Sequence, residues 1–147
     1  MEATATLTFD NLDVVIEQTH ARLSDLMVKW PDHVETLLHV QLATHEWLAN
    51  LVQHADFSGR RVLVGATITR ESDGFSCTIW DSSKGFDVDE QVDARRAQLS
   101  PLPERGMGLL MVFACTTDLL YTRTKEGNTL SFHVLDEGGD RCLAIPF

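Results

Sequence analysis

Two runs of alternating apolar and polar residues, 61–70 and 75–81, lie one short connection apart, and they restrict the fold of this chain more than any other feature. A period of two marks an extended strand with one face buried. The connection, Glu71-Ser72-Asp73-Gly74, has the composition of a hairpin turn. The runs therefore read as neighbouring antiparallel strands, and the flanking segments must supply the layer that covers them.

Upstream, Ala5, Leu7 and Phe9 alternate with threonines in a short first strand. Asp10 or Asn11 can cap a helix in which Ile16, Leu23, Met27 and Trp30 recur at near-helical spacing, and Pro31 ends it. Asp32 with Glu35 resembles a capping box for a second helix that runs to about Ala55, before a turn over 56–60. Downstream, polar and charged residues with two prolines near the end read as a lid over about 82–105, with a helical turn or two between 90 and 99. Residues 106–115 read as a helix entered through glycines, and 119–124 with 129–134 as a second hairpin turning at Glu126-Gly127-Asn128. The order β-α-α-β-β-lid-α-β-β lacks regular βαβ alternation. It predicts an α+β fold, a two-layer sandwich with helices on one face of a mostly antiparallel, mixed sheet.

A chain of 147 residues with 44% apolar content suits one domain over 1–147. No apolar run approaches the roughly 20 residues that span a bilayer, and residues 1–10 lack a signal-peptide pattern, so a cytoplasmic location is expected. A net charge of -10 argues against general affinity for nucleic acid or an anionic membrane, because both require a basic field. Any anionic ligand must be held by a local site. Cys77, Cys115 and Cys142 lack metal-ligand spacing and read as buried reduced thiols. His20, His33, His39, His45 and His133 share no ligand spacing either, and with Trp30, Trp47 and Trp80 they read as surface or packing residues. The tail, 136–147, has no assignment beyond a packing or partner segment.

Three segments hold residue types that suit nucleotide chemistry. On the second helix, Leu48, Leu51, Val52 and Ala55 make a core stripe, while Glu46, Asn50 and His54 fall at i, i+4 and i+8 along the other side. An amide oxygen of Asn50 with substrate phosphates and water is an adequate magnesium shell, and Glu46 is placed to accept a proton. On spacing alone a solvated helix face is the commoner explanation. Asp81 ends a strand before Ser82-Ser83-Lys84-Gly85-Phe86-Asp87, where a buried carboxylate can accept from an exocyclic amine and Gly85 admits close approach; an ordinary capped turn has the same composition. Glu104-Arg105-Gly106-Met107-Gly108-Leu109-Leu110 puts glycines at a helix mouth, which suits phosphate but equally suits tight packing.

In this order the segments resemble the boxes of the Bergerat-fold ATPases of the GHKL superfamily, most closely the RsbW-type anti-sigma-factor serine/threonine kinases. Residues 42–55 are similar to the N box, with Glu46, Asn50 and His54 in register; 81–87 resemble the first glycine box, 105–110 the second, and Gly127-Asn128-Thr129 the late turn whose threonine lies near adenine. The resemblance implies ATP and Mg2+ as cofactors, with Asn50 as magnesium ligand, Glu46 as catalytic base and Asp81 as adenine reader. It also implies that Gly85, Phe86, Gly106, Met107, Gly108 and Leu109 shape the pocket, with Arg105 near the terminal phosphate. It further implies phosphorylation of a STAS-domain anti-anti-sigma factor, sequestration of a sigma factor, and a homodimer. No dimerisation hairpin bearing a phospho-acceptor histidine precedes the domain, so a full histidine kinase is not expected. One departure stands out: Ser83 occupies the first glycine of the usual D-x-G-x-G. Its alternative implication is a Bergerat-fold interaction module with weak or lost catalysis.

Overall fold

The computed structural model describes residues 3–9, 11–85, 112 and 114–136. Strand β1 (Ala3–Phe9) is followed by helices α1 (Leu12–Lys29) and α2 (Val34–His54), then β2 (Val64–Arg70), β3 (Gly74–Asp81), β4 (Thr117–Arg123) and β5 (Asn128–Leu135). The strands form one sheet in the order β1-β2-β3-β5-β4, and every neighbouring pair is antiparallel. The α+β sandwich expected from the sequence is the fold observed, with the helices packed together and against β1, β3 and β5. The expected lid, the helix over 106–111 and the tail beyond Asp136 lie outside the described residues; 112, 114 and 115 are helical.

Each helix begins and ends for local reasons. Asn11 caps α1 by accepting the Asp13 N–H at 2.8 Å, and Trp30 closes it onto the Leu26 carbonyl just before Pro31. The buried stripe of α1 is Val15, Thr19, Leu23 and Leu26, so Ile16, Met27 and Trp30 flank it. Thr19 is tolerated there because its hydroxyl donates to the Val15 carbonyl at 2.6 Å. The expected capping box at Asp32 does not form. Pro31–His33 makes a short 3-10 turn, the residue before α2 is His33, and no side chain caps that helix. Pro31 sets the tight turn, and the His33 ring is drawn away to Asp136 at 3.2 Å.

The core gathers Leu37, Val40, Ala43, Trp47, Leu48 and Leu51 of α2 with the inward residues of the sheet: Ala66 and Ile68, Phe75, Cys77 and Ile79, and Leu130, Phe132 and Val134. Val52 is 43% exposed and leaves the stripe that the sequence assigned it. The first alternating run begins as a strand only at Val64, because Ser82 occupies the backbone ahead of it: Ser82 N–H donates to the Leu63 carbonyl, Leu63 N–H to Ser82 Oγ, and Ser82 Oγ to the Arg61 carbonyl. The β2–β3 hairpin closes through Glu71 N–H to the Gly74 carbonyl, and a Cβ at Gly74 would stand 2.0 Å from the Val134 carbonyl oxygen. Cys77 is a free thiol whose pKa burial pushes up to about 12. Cys115 is disulfide-bonded, which corrects the expectation of reduced thiols throughout. Among the described residues no helix is long and apolar enough to cross a membrane.

Candidate functional site

The inward rows of β3 and β5 end in polar residues. Phe75, Cys77 and Ile79 face the helices, and Asp81, next in that alternation, is 1% exposed. On β5, Leu130, Phe132 and Val134 lead back to Asn128, also 1% exposed, and Asp81 and Asn128 are direct register partners. A carboxylate and an amide are thus buried side by side where the core stops.

Asp81 Oδ1 is heavily used. It accepts from Ser83 N–H at 2.9 Å, Ser83 Oγ at 2.5 Å and Asn128 Nδ2 at 3.0 Å. Asn128 Nδ2 also donates to the Ser83 carbonyl at 2.8 Å. The other carboxylate oxygen, Oδ2, is sealed from solvent and has no hydrogen-bond partner, as is Asn128 Oδ1. A buried acceptor left bare costs about 1–3 kcal/mol. Oδ2 therefore fits a ligand that brings an N–H donor, such as the exocyclic amine of adenine.

The loop after Asp81 is held from several sides. Gly85 N–H donates to Ser83 Oγ, Arg60 donates to the Ser82 and Ser83 carbonyls, and Lys84 N–H reaches the Asp56 carbonyl just beyond α2. Gly85 has φ +78°, and a Cβ there would lie 2.4 Å from Asn128 Oδ1. A Cβ at Gly127 would lie 2.5 Å from the Asp81 carbonyl oxygen. Ser83 is fully buried, and among the described residues the one non-glycine at positive φ is Asp118. Serine therefore needs no left-handed backbone to stand where the resembled motif has glycine.

On α2, Glu46 and Asn50 are half-buried one turn apart, and His54 is exposed. Asn50 Nδ2 is shut from solvent without a hydrogen-bond partner. A half-turn of the amide would present its oxygen from the same place, so Asn50 can offer either a donor or a cation ligand. A fully solvated face would not bury that group. Phe86, Arg105, Gly106, Met107, Gly108 and Leu109 lie outside the described residues.

Thr129 is not brought to Asp81. It pairs with Trp80 and Thr122 in the register, and alternation turns it to the face away from the helices; Asn128 takes the place beside the carboxylate. Sequence reasoning missed Asn128 because its significance lies in the β3–β5 register. The histidines also pair in space: His45 Nδ1 and His20 Nε2 are 3.1 Å apart across α1 and α2, and His133 meets Asp73 at 3.0 Å.

A two-layer sandwich whose second helix carries the Glu-Asn edge, and whose central strand ends in a buried, half-satisfied aspartate, defines a Bergerat-type, ATP-binding domain. The chain belongs to the histidine kinase-like ATPase domain family, whose profile matches residues 15–134. Among solved structures it is similar to the histidine kinase domain from Erythrobacter litoralis EL346 blue-light activated histidine kinase, with a TM-score of 0.50 and 23% identity. That alignment covers 78% of this chain and 51% of the other, so the chain spans about half that structure's length. The likeness supports the fold. No curated protein matches the chain significantly.

Proposed function

We propose that this domain binds MgATP and transfers its terminal phosphate to a serine or threonine of a STAS-domain antagonist, as part of a partner switch that also sequesters a sigma factor. The observation that carries the nucleotide reading is the bare, buried Asp81 Oδ2 beside the Gly85 cradle. The protein-substrate and sigma-factor assignments rest on the resemblance of 42–55 to the N box of the anti-sigma-factor kinases.

Each side chain then has a defined task. Asp81 accepts from the base, Gly85 lets the loop lie close, and Asn50 supplies one oxygen to magnesium, which when bound offsets phosphate charge. As the acceptor hydroxyl oxygen bonds to the terminal phosphorus and the bridging P–O bond breaks, the hydroxyl proton passes to a Glu46 carboxylate oxygen and ADP departs. Ser83 favours a working site over a decayed one, since its hydroxyl ties Asp81 Oδ1 to Gly85 N–H.

Calorimetry with MgATP and a labelled-phosphate transfer assay test this. Asn50→Ala is expected to abolish magnesium-dependent binding. Glu46→Gln is expected to keep binding and slow transfer by about 10². Transfer at an unchanged rate in Glu46→Gln would remove the base role, and tight partner association without any transfer would leave an interaction module.

A further inference from the structure

We infer that Asn128 is a positioning residue for base recognition: it fastens Asp81 so that Oδ2 alone is offered to a donor on the base. The inference rests on the nucleotide reading above and concerns a residue whose side chain acts through Asp81.

The orientation of the Asn128 amide is decided by its surroundings. Both close neighbours of its nitrogen, Asp81 Oδ1 at 3.0 Å and the Ser83 carbonyl at 2.8 Å, are acceptors, so an oxygen in that place would face two oxygens. With the nitrogen there, Asp81 Oδ1 has three donors, and turning the carboxylate would break all of them together. Two of the three come from Ser83, which is two residues away and travels with Asp81. Among the described residues, Asn128 provides the side-chain link from the Asp81 carboxylate to a neighbouring strand, across 47 residues of sequence. Without it, the Asp81 carboxylate keeps only the two Ser83 donors of its own loop, and the ties that hold that loop run through backbone groups and the Ser82 hydroxyl, so no side chain of β5 keeps Oδ2 aimed at the base.

This makes Asn128 a determinant of selectivity for an exocyclic amine. A base carrying the amine gains a hydrogen bond to a charged, buried acceptor, and a base without it leaves Oδ2 bare. Loss of the clamp should blur that difference while hardly touching binding of a purine that makes no such bond.

The test titrates the full chain with ATP and with purine riboside 5′-triphosphate, which has hydrogen in place of the amine, both with magnesium. The wild type is expected to prefer ATP by about tenfold or more, the scale of one charge-assisted hydrogen bond. Asn128→Ala is expected to lose most of that preference while binding the purine triphosphate within about twofold of wild type, an allowance taken from the size of ordinary context effects. Asn128→Leu, which keeps the volume and the branching at Cγ but removes the donor, is expected to narrow the ratio in the same sense and serves if Asn128→Ala does not fold. An unchanged preference in the variant that folds, or equal weakening of both nucleotides, overturns the inference alone. A wild type that binds neither triphosphate overturns the nucleotide reading and the inference with it.

Discussion

At Gly85 a side chain has nowhere to go. Its φ of +78° disfavours any residue with a Cβ, and the nearest atom that such a Cβ would meet is Asn128 Oδ1 at 2.4 Å. Gly85→Ala is therefore expected to cost about 1–3 kcal/mol in urea unfolding. ATP affinity should fall along with it, because relieving the clash displaces the residue that holds Asp81. A variant with normal stability and normal affinity would show that the loop relaxes without disturbing Asn128. Asp81 and Gly85 were legible in the sequence as an acid before a small-residue loop. Ser83 read there as a departure from a glycine motif, and its role is visible only in its hydrogen bonds to Asp81 Oδ1 and Gly85 N–H. A motif shows which residue type is missing, whereas the backbone angle decides whether that residue type was needed.

Between elements, the contact of α1 with α2 contains a pair of histidines. Burial holds the pKa of His20 below its ordinary 6.5, and the neighbouring charge of His45 lowers it further. As pH falls through 6.5 the unfolded chain takes up a proton that the folded chain still refuses, so stability declines until the folded form is protonated too. Urea midpoints measured downward from neutral pH should fall in the wild type and fall less in His20→Gln, which carries no titrating ring. Equal slopes in the two proteins would rule the pair out as a source of acid sensitivity. The helices themselves were readable from periodicity, together with Asn11 as a cap and Pro31 as a stop. Their rotation about their axes was less so: Val15 and Thr19 lie at the centre of the buried stripe of α1, and Val52 points outward. A helical stripe is about as wide as two residue positions, so apolar residues on its margin cannot be sorted until the second layer is in place.

For the molecule as a whole, Asp136 joins parts that are distant in sequence. Its carboxylate accepts from both terminal guanidinium nitrogens of Arg70, Nη1 and Nη2, at 3.2 and 3.0 Å and from Thr36 Oγ1 at 2.9 Å, and it meets His33 Nδ1 at 3.2 Å. Its N–H reaches the Asp73 carbonyl. The end of β5, the β2–β3 hairpin and the entry to α2 are thereby closed together, opposite to the end of β3 that carries Asp81. Hydrogen bonding from Arg70 foremost holds the Asp136 carboxyl below its ordinary 3.8. A depressed folded pKa means that its contribution is complete above 3.8 and disappears as pH falls through the lower, folded value. Asp136→Asn is expected to lose about 1–3 kcal/mol at neutral pH, and its stability should then depend less steeply on pH in acid. A variant that unfolds in acid with the wild-type slope would show that other carboxylates dominate. By itself the sequence determined the two long helices and the strands among the described residues, their order, the Glu46–Asn50 edge and the acid at the end of β3, because periodicity and turn chemistry are written within a few adjacent residues. Only the tertiary structure decided that Asn128 stands beside Asp81, that His20 meets His45, and that Asp136 locks the far end. Those partners depend on strand register and helix rotation, which the packing of the whole core selects.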